Sequence, residues 1–234
     1  MSKSVSVIIP FYNRWELTHQ RMMELYSHIH TPIEIILVDD CSTDDVSGGM
    51  GWWKTQSKHR VICIKTPKNL GFGGAHNHGA KRATGDVLIF LSNDVRVSGD
   101  FVSQLLKKLD DDENVLIGGR VLSYDTGWNL LQINGKPKLF PYCMGWLVAC
   151  TKEVWGDLGG WDDIYAPFDY EDVDISAMAI HKGYKLVGLN SEFVLHDHPG
   201  ATIHKIYGVG RREQITRRNQ KSFIEKWSKI LIDE

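Results

Sequence analysis

No stretch of this 234-residue chain stays apolar for the roughly 18 residues a spanning helix needs, so no transmembrane segment is expected in it. The N-terminus has no basic region followed by a long apolar run, which speaks against a signal peptide. Peripheral contact with a membrane is left open. Charge of one sign is not in excess either. With 27 Lys and Arg against 29 Asp and Glu, the net charge is -2, and nothing global argues for nucleic acid. Only four cysteines occur (Cys41, Cys63, Cys143, Cys150), none in CxxC spacing. That pattern predicts buried thiols in a reducing cytoplasm rather than disulfides or a zinc site. A GxGxxG after the first strand and a GxxxxGK[ST] are both missing, which argues against a dinucleotide fold and a Walker ATPase. Disordered linkers and internal repeats are absent as well. A single domain over 1–234 is expected, with 1–109 binding a nucleotide and 110–234 binding an acceptor and carrying the catalysis.

What is present centres on VLIFLSND. Val87–Leu91 reads as a strand buried on both faces, yet it runs straight into Ser92, Asn93 and Asp94. An acidic tip at a strand's carboxyl end suits a hard divalent cation and, through it, a phosphate; the alternative is Asp94 capping a helix near Phe101–Leu109. Upstream, strands are expected at Val5–Pro10, Ile33–Val38 and Val61–Lys65, and helices at Trp15–Ile29, Val46–Gln56 and Ala75–Ala83. Such alternation means parallel βαβ units, and right-handed crossovers gather all four strand ends at one edge. Pro10, Phe11, Tyr12, Asp39-Asp40, Asn69 and Asn93-Asp94 would thus meet in one crevice with the outline of a nucleotide site.

Individual motifs keep two readings. Asp39-Asp40 suits recognition of a base or ribose, or a turn with Ser42 and Thr43. In NLGFGGAHNHG the glycines permit close backbone approach to a ligand. His76 and His78 are two apart and do not share a helix face, so Asn77 is expected to face the site and the histidines the helix surface.

Past Leu109 the pattern changes. Strands are expected at Val115–Ser123, Leu130–Asn134, Cys143–Thr151, Tyr184–Leu189 and Glu192–Leu195, and helices at Lys152–Leu158, Tyr170–Lys182 and Arg212–Ile230. Asp169 and Asp172 read either as an acidic capping box or as the source of a general base at a helix start. His196 and His198 lie in a loop. Imidazole is acceptable to Mn²⁺, but a surface histidine is the commoner case. The basic C-terminal segment (Arg211, Arg212, Arg217, Arg218) is a solvated face, or else holds pyrophosphate.

Together, VSVIIPFYNR, IEIILVDDCSTDD, NLGFGGAHNHGAKRATGDVLIFLSNDV, GGWDD, YEDVDIS, HDHPGA and the closing Asn219…Lys226-Trp227 pattern resemble the inverting family 2 glycosyltransferases. The SND and NLGFGG spellings resemble its rhamnosyl- and galactofuranosyltransferase-like branch. The resemblance implies a GT-A fold of class α/β: a Rossmann-like, mostly parallel central sheet flanked by helices, with a mixed-strand acceptor side. It implies a nucleoside-diphosphate-sugar donor (UDP- or dTDP-linked), a glycan or lipid-linked acceptor, and Mn²⁺ or Mg²⁺. Carried over by position, Pro10, Phe11, Tyr12, Asp40 and Asn69 line the nucleoside pocket, and Asn77, Ser92 and Asn93 sit near ribose or sugar. Asp94 holds the metal with His196 as partner. Asp172 is the base beside Glu171, and Trp161 and Asp162 touch the acceptor. The chain departs from the pattern at Asn93, where many relatives have the first Asp of DxD. A nucleotidyltransferase and an inactive nucleotide-binding module are the competing classes. Only Arg14 lies near the first strand to grip a triphosphate, and Asn93 gives the inactive module its support.

Overall fold

A computed structural model of the chain describes residues 3–127, 129–133, 135–197 and 201–230; of Gln56 and residues 201–205 it describes the backbone only. The first half follows the expected alternation. In order come β1 (Val5–Phe11), α1 (Trp15–His28), β2 (Glu34–Asp39), α2 (Ser47–Gln56), β3 (Arg60–Lys65), α3 (Gly71–Ala80) and β4 (Val87–Leu91). The chain continues with β5 (Val95–Val97), α4 (Phe101–Asp111), β6 (Val115–Gly118), β7 (Val121–Leu122), β8 (Leu130–Ile133) and β9 (Lys136–Leu139). Then come β10 (Tyr142–Cys143), β11 (Leu147–Thr151), α5 (Lys152–Leu158), α6 (Glu171–His181), β12 (Lys185–Gly188), β13 (Val194–His196) and α7 (Ala201–Ile230). Helix α7 is broken at Gly208.

Seven strands form the main sheet in the order β12-β6-β11-β4-β1-β2-β3. All neighbours are parallel except those of β11, which runs against both β4 and β6. Period-two alternation sends Val5, Val7 and Ile9 of β1 to the face covered by α1 and α4. Ile8 of β1, Ile36 and Val38 of β2 and Phe90 of β4 go to the other face, under α3, α5 and α6. Helix α3 can lie close to that face because Gly79 has no side chain: a Cβ there would stand 2.4 Å from Ile8 Cγ2. A third cluster packs Phe223 and Trp227 of α7 against β8 and α6. No helix among the described residues is long and apolar enough to cross a membrane.

Several boundaries differ from expectation. Helix α3 starts at Gly71 and not at Ala75, because Asp40 accepts the backbone N–H groups of Leu70 and Gly71 and so holds the chain where the helix begins. The expected strands 115–123 and 143–151 are each split in two, and β5 and β9 are added. Asp100 caps α4 by accepting from Ser103 N, so Asp94 is not that cap. His76 is fully buried rather than on the helix surface. Of the cysteines, Cys143 and Cys150 are buried and Cys41 and Cys63 only partly so; all four are free. Asn134 and His198 lie outside the described residues.

Candidate active site

The carboxyl ends of β1, β2 and β4 open into a crevice of about 370 Å³. Its near wall holds Pro10, Phe11, Tyr12, Asp40, Asn69 and Ser92, as the strand-end argument requires. The two carboxylates after β2 divide their tasks. Asp39 makes the turn, accepting from Ser42 N at 2.7 Å and pairing with Lys65 at 3.1 Å. Asp40 lines the crevice, and its oxygens accept from Thr66 Oγ1 (2.9 Å), Leu70 N (2.8 Å) and Gly71 N (3.0 Å). Burial nevertheless pushes its carboxyl above the usual range. Asn69 donates from Nδ2 to the Asp40 carbonyl.

At the end of β4, Asp94 is 8% exposed. His196 reaches it through a pairing sequence could not supply: β13 runs antiparallel to β5, with His196 opposite Val95. Its Nε2 stands 3.2 Å from Asp94 Oδ1, and that oxygen, although enclosed, takes part in no hydrogen bond among the described residues. Trp146 stacks on the imidazole at 5.7 Å between centroids and 24°. Behind this pair, Arg21 bridges Glu24 (2.5 Å) and Asp197 (3.5 Å), fixing β13 to α1. Asn93 lines the crevice too, but its Nδ2 donates to Thr18 Oγ1 at 3.0 Å, tying it to α1. An enclosed carboxylate oxygen without a hydrogen bond, beside an imidazole nitrogen, suits a divalent cation. No cluster of three or more His, Cys, Asp and Glu ligands occurs among the described residues. Asp94 and His196 would hold such an ion as a pair, leaving its other positions to oxygen atoms from elsewhere.

Glu171 and Asp172 open α6 and also line the crevice. The two residues before the helix, Asp169 (φ 71°) and Tyr170 (φ 80°), are left-handed. The expected capping box is therefore absent. Tyr170 occupies the N-cap position without a side-chain cap bond. Asp169 instead accepts from Thr216 Oγ1 at 2.6 Å, with Arg212 at 3.8 Å. Asn219 of α7 holds this unusual backbone, donating to the carbonyls of Tyr165 (2.7 Å), Phe168 (2.7 Å) and Asp169 (2.8 Å). Asp172 accepts from Gly145 N at 3.0 Å and Val173 N at 2.9 Å. Burial dominates and pushes its carboxyl up to about 6. Glu171 is more deprived: Oε2 is buried without a hydrogen bond among the described residues. Burial first and the Asp172 charge second hold it well above the carboxylate range. Asp174, on the other side of α6, is structural, with Tyr165, Lys226 and Trp227 all bonded to it.

Three expected site residues are elsewhere. Both ends of the Asn77 amide are used on the backbone of Trp161, Nδ2 to its carbonyl at 2.7 Å and Oδ1 from its N–H at 3.0 Å. Trp161 itself is 2% exposed, packed among Phe72, Phe90 and Trp155. Asp162 accepts from Ile164 N at 3.0 Å and from Lys226 Nζ at 2.9 Å. All three border a separate cleft and not the crevice. They pin the Gly160–Asp163 segment against α3. Conversely, Gly145, Trp146 and Tyr207 line the crevice without having been singled out for it, and of the arginines read as a solvated face or a pyrophosphate site, Arg212 lines it. The Gly145-Trp146 interruption of the apolar run 143–151 was the available signal for the first two.

The sequence profile of glycosyl transferase family 2 matches residues 6–148. The chain is 33% identical over 124 residues to a dolichol-phosphate mannosyltransferase of Pyrococcus furiosus, covering 50% of this chain and 33% of that protein. It is 27% identical over 259 residues to N-acetylgalactosaminyltransferase 4 of Drosophila melanogaster, covering 96% of this chain and 40% of that protein. Among solved structures, it superposes on the mannosyltransferase PcManGT from Pyrobaculum calidifontis in complex with GDP-Man and Mn²⁺ with a TM-score of 0.71. That match has 19% identity over 94% of this chain and 63% of the other, so it speaks for the fold. The chain thus spans less than two thirds of each of these proteins.

Proposed function

This chain belongs to glycosyl transferase family 2, and we propose that it moves a sugar from a nucleoside diphosphate to an acceptor hydroxyl by one inverting displacement. The observation that carries this reading is two separate acidic centres facing one crevice: Asp94 with His196 at the end of β4, and Glu171 with Asp172 at the start of α6. The nucleoside lies by Tyr12, Asp40 and Asn69, where a strand-end pocket meets polar backbone. Asp94 and His196 would hold Mn²⁺ or Mg²⁺, which would supply positive charge for the departing diphosphate oxygen. That a solved neighbour of the same fold carries GDP-Man and Mn²⁺ supports both donor class and metal.

Of the two carboxyls on α6, Asp172 is the base. A group near 6 is ionised at neutral pH yet still basic enough to take a proton as the acceptor oxygen attacks. Burial and the neighbouring Asp172 charge disfavour the ionised form of Glu171 more strongly, so of the two it is the less available as a base. The acceptor oxygen bonds to the anomeric carbon as the sugar–phosphate bond breaks, and its proton passes to Asp172. Attack from the face opposite the leaving diphosphate inverts that carbon. The rhamnosyl- or galactofuranosyl-like donor, UDP- or dTDP-linked, is supported by the NLGFGG and SND spellings. A glycan or lipid-linked hydroxyl is the proposed acceptor, in a single domain with a donor half and an acceptor half. Incubating the protein with a panel of sugar nucleotides and Mn²⁺ tests this. Release of nucleoside diphosphate with an inverted product anomer by NMR is expected. No release from any donor, with nucleotide still bound, would instead identify the inactive module that Asn93 makes conceivable.

A further inference from the structure

The first turns of α7 deliver into the crevice a residue that no step above uses. Tyr207 lines it together with Tyr12 and Asp40, the residues assigned to the nucleoside. Its ring meets Phe168 at 5.0 Å between centroids and 63°. The Arg211 guanidinium lies over the same ring at 5.6 Å. Burial raises the Tyr207 phenol, the Arg211 charge opposes that, and Tyr12 and Asp40 add to it. The next residue explains the direction of entry. Gly208 has φ 67° and ψ 168°, which breaks α7 there, and a Cβ on it would meet no atom of the described residues within 4 Å. Glycine is therefore required by the backbone angle and not by space.

We propose that Tyr207 is a specificity-determining residue for the donor's nucleobase, enclosing it together with Tyr12 and Phe168. The proposal rests on reading the crevice as the nucleotide-sugar site. A nucleobase presents flat π-faces, and aromatic side chains stack on any of them. The phenol adds one hydrogen-bonding group at the base's edge, and that group is what can tell one base from another. Arg212, five residues on, pairs with Asp169 in the segment that leads into α6 and its Asp172. The residue that covers the nucleobase and the one that holds the segment before Asp172 thus lie on either side of the α7 break at Gly208.

The test is calorimetric titration of UDP, dTDP and GDP with Mn²⁺ into wild type, Tyr207→Ala, Tyr207→Phe and Gly208→Ala, with thermal unfolding of each as a folding control. Tyr207→Ala should weaken the preferred nucleotide about ten- to a hundredfold, the scale of a lost stacking contact. In transfer assays the loss should appear in donor KM rather than acceptor KM. Tyr207→Phe should keep most of the affinity and lose discrimination among the three. Gly208→Ala should weaken binding in the same direction as Tyr207→Ala, although its new methyl touches nothing. A folded Tyr207→Ala that binds as tightly as wild type overturns the proposal, and one that binds more tightly makes Tyr207 a plug. Wild type that binds none of the three overturns the donor-site reading itself, and this proposal with it.

Discussion

Replacing Asp172 by Asn should slow the enzyme and stabilise the fold together. In the folded chain the Asp172 carboxyl is raised from 3.8 to about 6, mainly because it is buried. A group whose folded pKa is the higher one favours the folded state when protonated. Its contribution is complete below about pH 4 and is lost as pH rises through about 6. Two units correspond to about 3 kcal/mol, so ionised Asp172 costs the wild type roughly that much at pH 8. Asn is neutral at every pH and escapes this cost. It keeps only one accepting oxygen for the N–H groups of Gly145 and Val173, and losing one of those bonds costs about 1 kcal/mol. The net gain of about 2 kcal/mol should raise Tm by roughly 4–8 °C in a chain of this size. At pH 3.5 the gain should vanish. Turnover should fall by about two to four orders of magnitude, because the amide cannot take the acceptor's proton. The wild-type rate should likewise decline as pH drops through about 6, where the buried carboxyl pair takes up a proton. Differential scanning calorimetry at both pH values, with initial rates at pH 8, tests the reasoning. A Tm at pH 8 equal to or below wild type, or turnover within about tenfold of it, refutes the assignment.

Other consequences follow from the same geometry. Asp94→Ala should abolish Mn²⁺-dependent transfer while leaving the fold intact, a loss of several kcal/mol in transition-state stabilisation; wild-type turnover indifferent to EDTA would contradict it. Asp40→Ala should weaken nucleoside diphosphate binding by roughly 1–3 kcal/mol and also lower Tm, because Leu70 N and Gly71 N lose their acceptor. Calorimetry showing unchanged affinity with a lowered Tm would leave it only the role of holding α3. Gly145→Ala places a methyl 3.1 Å from Asp172 Cβ and 3.3 Å from its Oδ2, so the base must shift. Turnover should drop by about a hundredfold, the scale of a misplaced catalytic group, with near-normal donor affinity by titration; normal turnover would free Gly145 of any part in setting the base.

Sequence alone determined the strand-end wall of the crevice. Period-two apolar runs specify parallel strands, short connections fix their handedness, and the crossovers then force Tyr12, Asp40, Asn69 and Asp94 to one edge. That inference uses only local pattern and chirality, which is why the strands held to within one residue at each end although α3 begins four residues early. It failed where the same residue types serve packing. Asn77, Trp161 and Asp162 have the polarity of a binding motif, but Asn77 bonds to the Trp161 backbone 84 residues away and Asp162 to Ile164 and Lys226. No periodicity announces such a partner. Asp169 looked like a cap because acidic residues at helix starts usually are; the left-handed backbone that Asn219 fixes sends it toward Thr216 instead. The β5–β13 ribbon that sets His196 against Asp94, the break in the β11 run that presents Gly145 N to Asp172, and the entry of Tyr207 at Gly208 are all long-range placements. Tertiary structure decided them because each depends on where two distant segments are packed together, and local propensity carries no information about that distance.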